Sequence, residues 1–196
     1  LEMTNKTAEE VFSLLDNLLK WTKSQLGKLS NVPQSIDMVG LVNGVIEVFK
    51  PIAGSKSISL KLDSAVESVH VTVDIEMIKS VVRNLISNAI KFSHKDTAVV
   101  VHVKVQEVAD ENRTEAGNDK EVLVTVSDSG CGIKKEDQEK LLNEATHFTT
   151  FGTDSEEGSG LGLLLCKDFV SKNHGRLWFT SEEGVGSNFN FTIPLK

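Results

Sequence analysis

The chain has little of three things, and each shortage excludes a class of function. It has two cysteines, Cys131 and Cys166, with no Cys-x-x-Cys and no histidine beside either. A disulfide framework and a zinc site are therefore not expected, and the usage fits a reducing cytoplasm. It lacks positive charge: 21 lysines and arginines stand against 28 acids, a net charge of −7. A surface built to hold nucleic acid is not expected from that balance. A nucleotide is not excluded, because backbone amides and a cation can hold its phosphates. It also lacks an uninterrupted apolar run near the roughly 18 residues of a membrane span.

With 39% hydrophobic and 25% charged residues among 196, the sequence suits one globular domain with an appendage. Val11, Phe12, Leu14, Leu15, Leu18, Leu19, Trp21, Leu26 and Leu29 give residues 7–29 a wide apolar helical stripe. Such a stripe fits a helical bundle; a terminal helix packed on the domain's own core is the plainer alternative. Asn31-Val32-Pro33 breaks it. Asp37 is placed to cap a helix over 38–50, ended or kinked by Pro51. Alternation predicts strands at 58–62, 70–73, 99–105 and 121–127, and Asp74 caps a helix over 75–92. Residues 108–120 read as a hairpin loop, 134–142 as a short helix and 146–159 as a loop. A helix over 160–173 closes at His174-Gly175, and strands over 176–180 and 188–194 form a last hairpin. This pattern predicts an α+β fold, a two-layer sandwich with a mostly antiparallel sheet and helices on one face.

Three segments carry chemistry. In Asn84-Leu-Ile-Ser-Asn88-Ala-Ile-Lys91-Phe92-Ser93, helical rotation puts Asn88 about 40° and Lys91 about 20° to either side of Asn84. Two amides and an ammonium thus form a stripe beside the apolar face. A solvated face is the bland reading, although two asparagines are mediocre helix formers. An amide oxygen suits Mg²⁺, and lysine suits phosphate. In Asp128-Ser-Gly130-Cys-Gly132-Ile133, Asp128 ends the row of Val122, Val124 and Val126. A strand-end turn is the bland reading; an acceptor for an adenine amino group is the functional one. Adenine donates at N6 where guanine accepts at O6, so a fixed carboxylate would select ATP over GTP. Gly130 and Gly132 let backbone approach the base. Gly158-Ser-Gly160-Leu161-Gly162-Leu163 opens a helix whose amides can face phosphates. It is neither a Walker loop nor a Rossmann fingerprint.

The ordered trio resembles the ATP-binding domain of bacterial sensor histidine kinases, a branch of the GHKL (Bergerat-fold) ATPases, over roughly residues 33 to 196. The resemblance implies a catalytic ATP-binding domain at 32–196, preceded at 1–31 by the second helix of a dimerisation and histidine-phosphotransfer hairpin. It implies ATP and Mg²⁺ as cofactors, with Asn88 as the magnesium ligand. Asn84 and Lys91 would meet the phosphates or their water, Phe92 and Ile133 would lie beside adenine, and Asp128 would read its amino group. Phe148, with Thr149 and Thr150, would anchor a lid closed by Gly158, Gly160, Leu161, Gly162 and Leu163. Relatives that hydrolyse ATP place a glutamate where Asn84 stands, and an amide is no general base. Many members carry a lid arginine or lysine. Between Lys140 and Lys167 only His147 is basic, leaving Thr149, Thr150, Thr153 and backbone amides as substitutes.

No histidine here has the family's phosphoacceptor setting, so the acceptor helix is expected outside this chain. The expected partners are a second copy, through the helical bundle, and a response-regulator receiver domain. No direct contact with nucleic acid or membrane is expected of these residues. The resemblance implies a cytoplasmic domain, whether or not the full-length protein is anchored in the inner membrane. Two other functions fit the same motifs: a serine kinase of the anti-sigma-factor type, and a nucleotide-sensing module without transfer. The apolar helix argues against the first; the missing lid cation keeps the second open.

Overall fold

The computed structural model describes Leu19, Thr22 and residues 31–108, 120–141, 152–153 and 160–195. Most of the expected bundle helix, the 108–120 loop, and Phe148, Thr149, Thr150 and Gly158 lie outside the described residues. Leu19 and Thr22 are helical and exposed.

Among the described residues from 31 onward, seven strands and four helices follow in the order β1 (Gln34–Asp37), α1 (Met38–Ser55), β2 (Ser59–Ser64), β3 (His70–Val73), α2 (Ile75–Phe92), β4 (Ala98–Glu107), β5 (Lys120–Asp128), α3 (Lys135–Leu141), α4 (Gly162–Lys172), β6 (Leu177–Glu182) and β7 (Gly186–Pro194). Five strands form one sheet in the order β2-β4-β5-β7-β6, parallel only at β2–β4. β1 and β3 pair antiparallel in a small second sheet. The α+β, mostly antiparallel expectation holds.

Alternation decides which sheet face is covered. Val99, Val101, Val103, Val122, Val124, Val126, Phe191 and Ile193 are buried in the main core. Residues between them are partly polar and pair across the strands, as Thr125 does with Asn190 at 2.8 Å. On the core side, α2 buries Ile78, Val81, Val82, Leu85, Ile86 and Ala89. It packs against α4, α1 and β5.

Capping sets the helix starts. Asp37 accepts from the backbone amides of Val39 and Gly40, and Asp74 from that of Met77 at 3.0 Å. The second Asp74 oxygen accepts from Val32 N at 3.0 Å, holding the incoming chain at the head of α2. Helix α1 corrects one expectation: it passes Pro51 and runs a further turn to Ser55. Ala53 beyond the proline is fully buried, so packing outweighs the hydrogen bond that proline cannot donate. By length and composition α1 is also apolar enough to cross a membrane, although charged and polar residues interrupt its apolar run. Its buried side, Met38, Val42, Val45 and Ile46, belongs to the domain core.

Strand β1 went unread because Gln-Ser-Ile-Asp carries no alternation. It exists through its pairing, Gln34 opposite Val73 and Asp37 opposite His70.

Candidate nucleotide site

The ends of α2 and β5 meet at a cavity of about 240 Å³. Asn88 and Phe92 come from α2, Asp128 from the end of β5, and Gly132 and Ile133 from the turn after it. Leu163 enters from the first turn of α4. Asn88, Phe92, Asp128, Gly132 and Ile133, drawn from separate motifs, thus line one hollow together with Leu163. The remaining walls are Cys131, Lys134, Asp137 and Leu141 on one side, and Glu183, Ser187 and Phe189 on the other. Apart from Cys131, sequence reasoning missed these. The signal for Phe189 was its alternation with the buried Phe191. Its use depends on the register that sets Phe189 opposite Val126 and Ser187 opposite Asp128.

Burial raises the Asp128 carboxyl to about 6, against which the backbone amides of Gly130 and Ser187 donate to it and favour its charged form. The Gly130 amide lies 3.0 Å from Oδ1. The carboxylate is thus fixed, partly desolvated and turned toward a mainly apolar hollow. Phe189 stacks on Phe179 with ring centroids 5.6 Å apart, a flat wall suited to a planar base.

The turn from 130 to 133 is stitched on both sides. Cys131 N donates to the Phe92 carbonyl at 3.2 Å, and Gly184 N donates to the Cys131 carbonyl at 2.8 Å. Ile133 N donates to Ser181 Oγ at 2.9 Å. Gly132 has φ +62, and a Cβ there would stand 2.0 Å from the Glu182 carbonyl oxygen. A Cβ on Gly130 would stand 2.1 Å from the Phe92 carbonyl oxygen. Cys131 is half-buried in this wall, and burial, with the Asp128 charge adding, raises its thiol.

The other expected residues sit around the hollow. Asn84, one turn before Asn88, is turned under α4: its amide nitrogen donates to Cys166 Sγ at 3.2 Å. Lys91 places its ammonium 5.1 Å from the centre of the Phe92 ring. Gly160 has φ +69, and the buried Leu161 accepts from Leu165 N with its carbonyl at 3.0 Å. Thr153 is fastened to the end of α2, its hydroxyl 2.9 Å from the Lys91 carbonyl oxygen.

Residues 73–196 match the family model described as "Histidine kinase-, DNA gyrase B-, and HSP90-like ATPase". The chain belongs to this family. The sensor protein EvgS of Escherichia coli (strain K12) is 31% identical over 197 residues, covering the whole chain and 16% of that protein. The adaptive-response sensory kinase SasA of Synechococcus sp. (strain JA-2-3B'a(2-13)) is 31% identical over 183 residues, 93% of the chain and 45% of that protein. The chain thus spans less than half the length of these curated relatives. Full-length ShkA, solved in complex with AMPPNP, superposes with a TM-score of 0.75 at 20% identity, over 96% of this chain and 36% of that one. That likeness shows the fold, a Bergerat-type sandwich.

The donor set at the cavity suits a hard cation that keeps most of its water. No group of three or more histidine, cysteine, aspartate or glutamate side chains forms a metal cluster among the described residues. Asn88 offers a single amide oxygen. Mg²⁺ is commonly held this way, by one or two protein oxygens, substrate phosphates and water.

Proposed function

We propose that the chain is the ATP-binding and phosphotransfer domain of a two-component sensor histidine kinase, giving the γ-phosphate of ATP to a histidine outside these residues. The observation that carries the reading is Asp128, a fixed carboxylate facing an apolar hollow walled by Ile133, Leu163 and Phe189. Such a group accepts from adenine N6 and repels guanine O6. Asn88 would hold Mg²⁺, which when bound neutralises the phosphate oxygens. Lys91 would steady the phosphates or their water, and Asn84 would do so through its amide oxygen, its nitrogen being engaged by Cys166. Phe148, Thr149, Thr150 and the run Gly158–Gly162 would cover them.

Two features favour transfer over hydrolysis. Asn84 supplies an amide where a general base would be needed to activate water. Its amide nitrogen is moreover engaged by Cys166. The acceptor imidazole would attack the γ-phosphorus, the bond to the β-γ bridging oxygen would break, and ADP would leave. In-line transfer of this kind depends chiefly on positioning and charge neutralisation. The full-length protein would act as a dimer through residues 1–31 and pass its phosphate to a response-regulator receiver domain.

The test is to supply the acceptor helix in trans with Mg-ATP and radiolabelled γ-phosphate. Acid-labile label on that helix is expected. Acid-stable label would point to a serine kinase. ATP binding without any transfer, even in the full-length protein, would point to a sensing module.

A further inference from the structure

The carboxyl end of α2 leaves its last carbonyls without intrahelical donors, at the negative end of the helix dipole. Lys56, the residue after α1, reaches them. Its Nζ lies 3.3 Å from the carbonyl oxygens of both Ile90 and Lys91, and 3.2 Å from Thr153 Oγ1. Thr153 donates its own amide to the Lys91 carbonyl at 3.1 Å. Its hydroxyl lies 2.9 Å from that oxygen and 3.0 Å from the Ser93 carbonyl oxygen.

Donor chemistry orients this network. An ammonium only donates, so the Thr153 hydroxyl accepts from Lys56 and must send its single proton to an α2-end carbonyl. The sequence gives Thr153 to the phosphates; the geometry commits its hydroxyl to backbone instead. The same helix end carries Phe92 in the cavity wall, and the Phe92 carbonyl accepts from Cys131 N. Thr153 thus joins the end of α2 to Lys56 at the end of α1, and the end of α2 in turn holds Cys131.

We propose that Lys56 and Thr153 are positioning residues that act as a unit: Lys56 holds Thr153 on the end of α2, and this knot fixes Phe92 in the cavity wall for nucleotide binding. The inference rests on the reading of the cavity as a Mg-ATP site. Neither side chain need touch the nucleotide. Their charge-assisted contact is among the stronger kinds of hydrogen bond, and Thr153 is exposed, so its loss opens no hole in the core.

The test is calorimetric titration of the whole chain with Mg-ATP, with melting temperature followed in parallel. Thr153→Val and Lys56→Met should each weaken binding about tenfold, as loss of a hydrogen bond to a charged group does. The double variant should bind no more than about twofold worse than the weaker single, since each substitution breaks the same knot. Thr153→Ser should recover affinity to within about twofold of the native chain, because it restores the hydroxyl. Unchanged affinity in both single variants, fully additive losses, or losses that track the melting temperature and are not rescued by serine would overturn the inference. A native chain that binds Mg-ATP while the variants bind equally well removes this inference alone. A native chain that binds none removes the reading beneath it as well.

Discussion

The amide nitrogen of Asn84 lies 3.2 Å from Cys166 Sγ, joining the asparagine helix to the helix that follows the second glycine box. Gly162 makes room for that contact: a Cβ there would stand 2.5 Å from the same nitrogen and 2.8 Å from the Asn84 oxygen. The obstructed atoms belong to a side chain that can swing away, so the cost falls on the position of Asn84 more than on the fold. Gly162→Ala is expected to destabilise by about 1 kcal/mol. In an Asn84→Ala background the same change should stabilise by up to about 1 kcal/mol, because alanine then only adds helix propensity. Chemical denaturation of the four proteins of this cycle measures the sign change; equal effects in both backgrounds would separate the two residues.

Asp128 sets a pH signature. Its folded carboxyl lies near 6, above the ordinary 3.8. The folded chain therefore holds this proton more tightly than the unfolded one. The stabilisation it brings is full below the unfolded value and is lost as pH rises through about 6. Asp128→Asn should consequently raise the melting temperature of the ligand-free domain at neutral pH while abolishing adenine binding. For the native chain, affinity for adenosine, which has no group titrating in this window, should rise as pH increases through about 6. Calorimetry across that range checks it, and a flat profile would remove Asp128 from base recognition.

Asn88 should account for the magnesium dependence. Asn88→Ala is expected to weaken Mg-ATP by at least about tenfold, the change that roughly 1.4 kcal/mol brings. It should leave metal-free ATP little affected. Titration with magnesium and with a chelator separates the two. An equal loss in both would make Asn88 a contact to the nucleotide itself.

Gly132 is irreplaceable on two grounds, its φ of +62 and the Glu182 carbonyl 2.0 Å from where a Cβ would stand. Gly132→Ala should cost at least about 2 kcal/mol, and urea denaturation would read it.

What the sequence revealed followed from local rules. Asp37 and Asp74 announced their helices through capping, and the valines of β4 and β5 announced a core face through alternation. Rotation about α2 put Asn84, Asn88 and Lys91 on one side, yet could not tell that Asn88 lines the cavity while Asn84, one turn earlier, meets Cys166 of α4. That distinction depends on where α4 lands, as marked by Asn84 beside Cys166. The far wall was hidden for a similar reason. Glu183, Ser187 and Phe189 join the site only through the pairing of β5 with β7, across about sixty residues of chain, and no local periodicity encodes that register. β1 was invisible because its only partly buried apolar residue is Ile36, and Pro51 suggested an end to α1 that the burial of Ala53 overrides.

The central claim is that a fixed, partly buried carboxylate chooses adenine in a magnesium-dependent site. It is met most directly by titrating the native chain and Asp128→Asn with ATP and GTP, with and without Mg²⁺. The account predicts that the native chain binds ATP, more tightly with magnesium, and binds GTP not at all, and that Asp128→Asn binds neither. Comparable affinity for GTP, or full retention of ATP binding by Asp128→Asn, would contradict it.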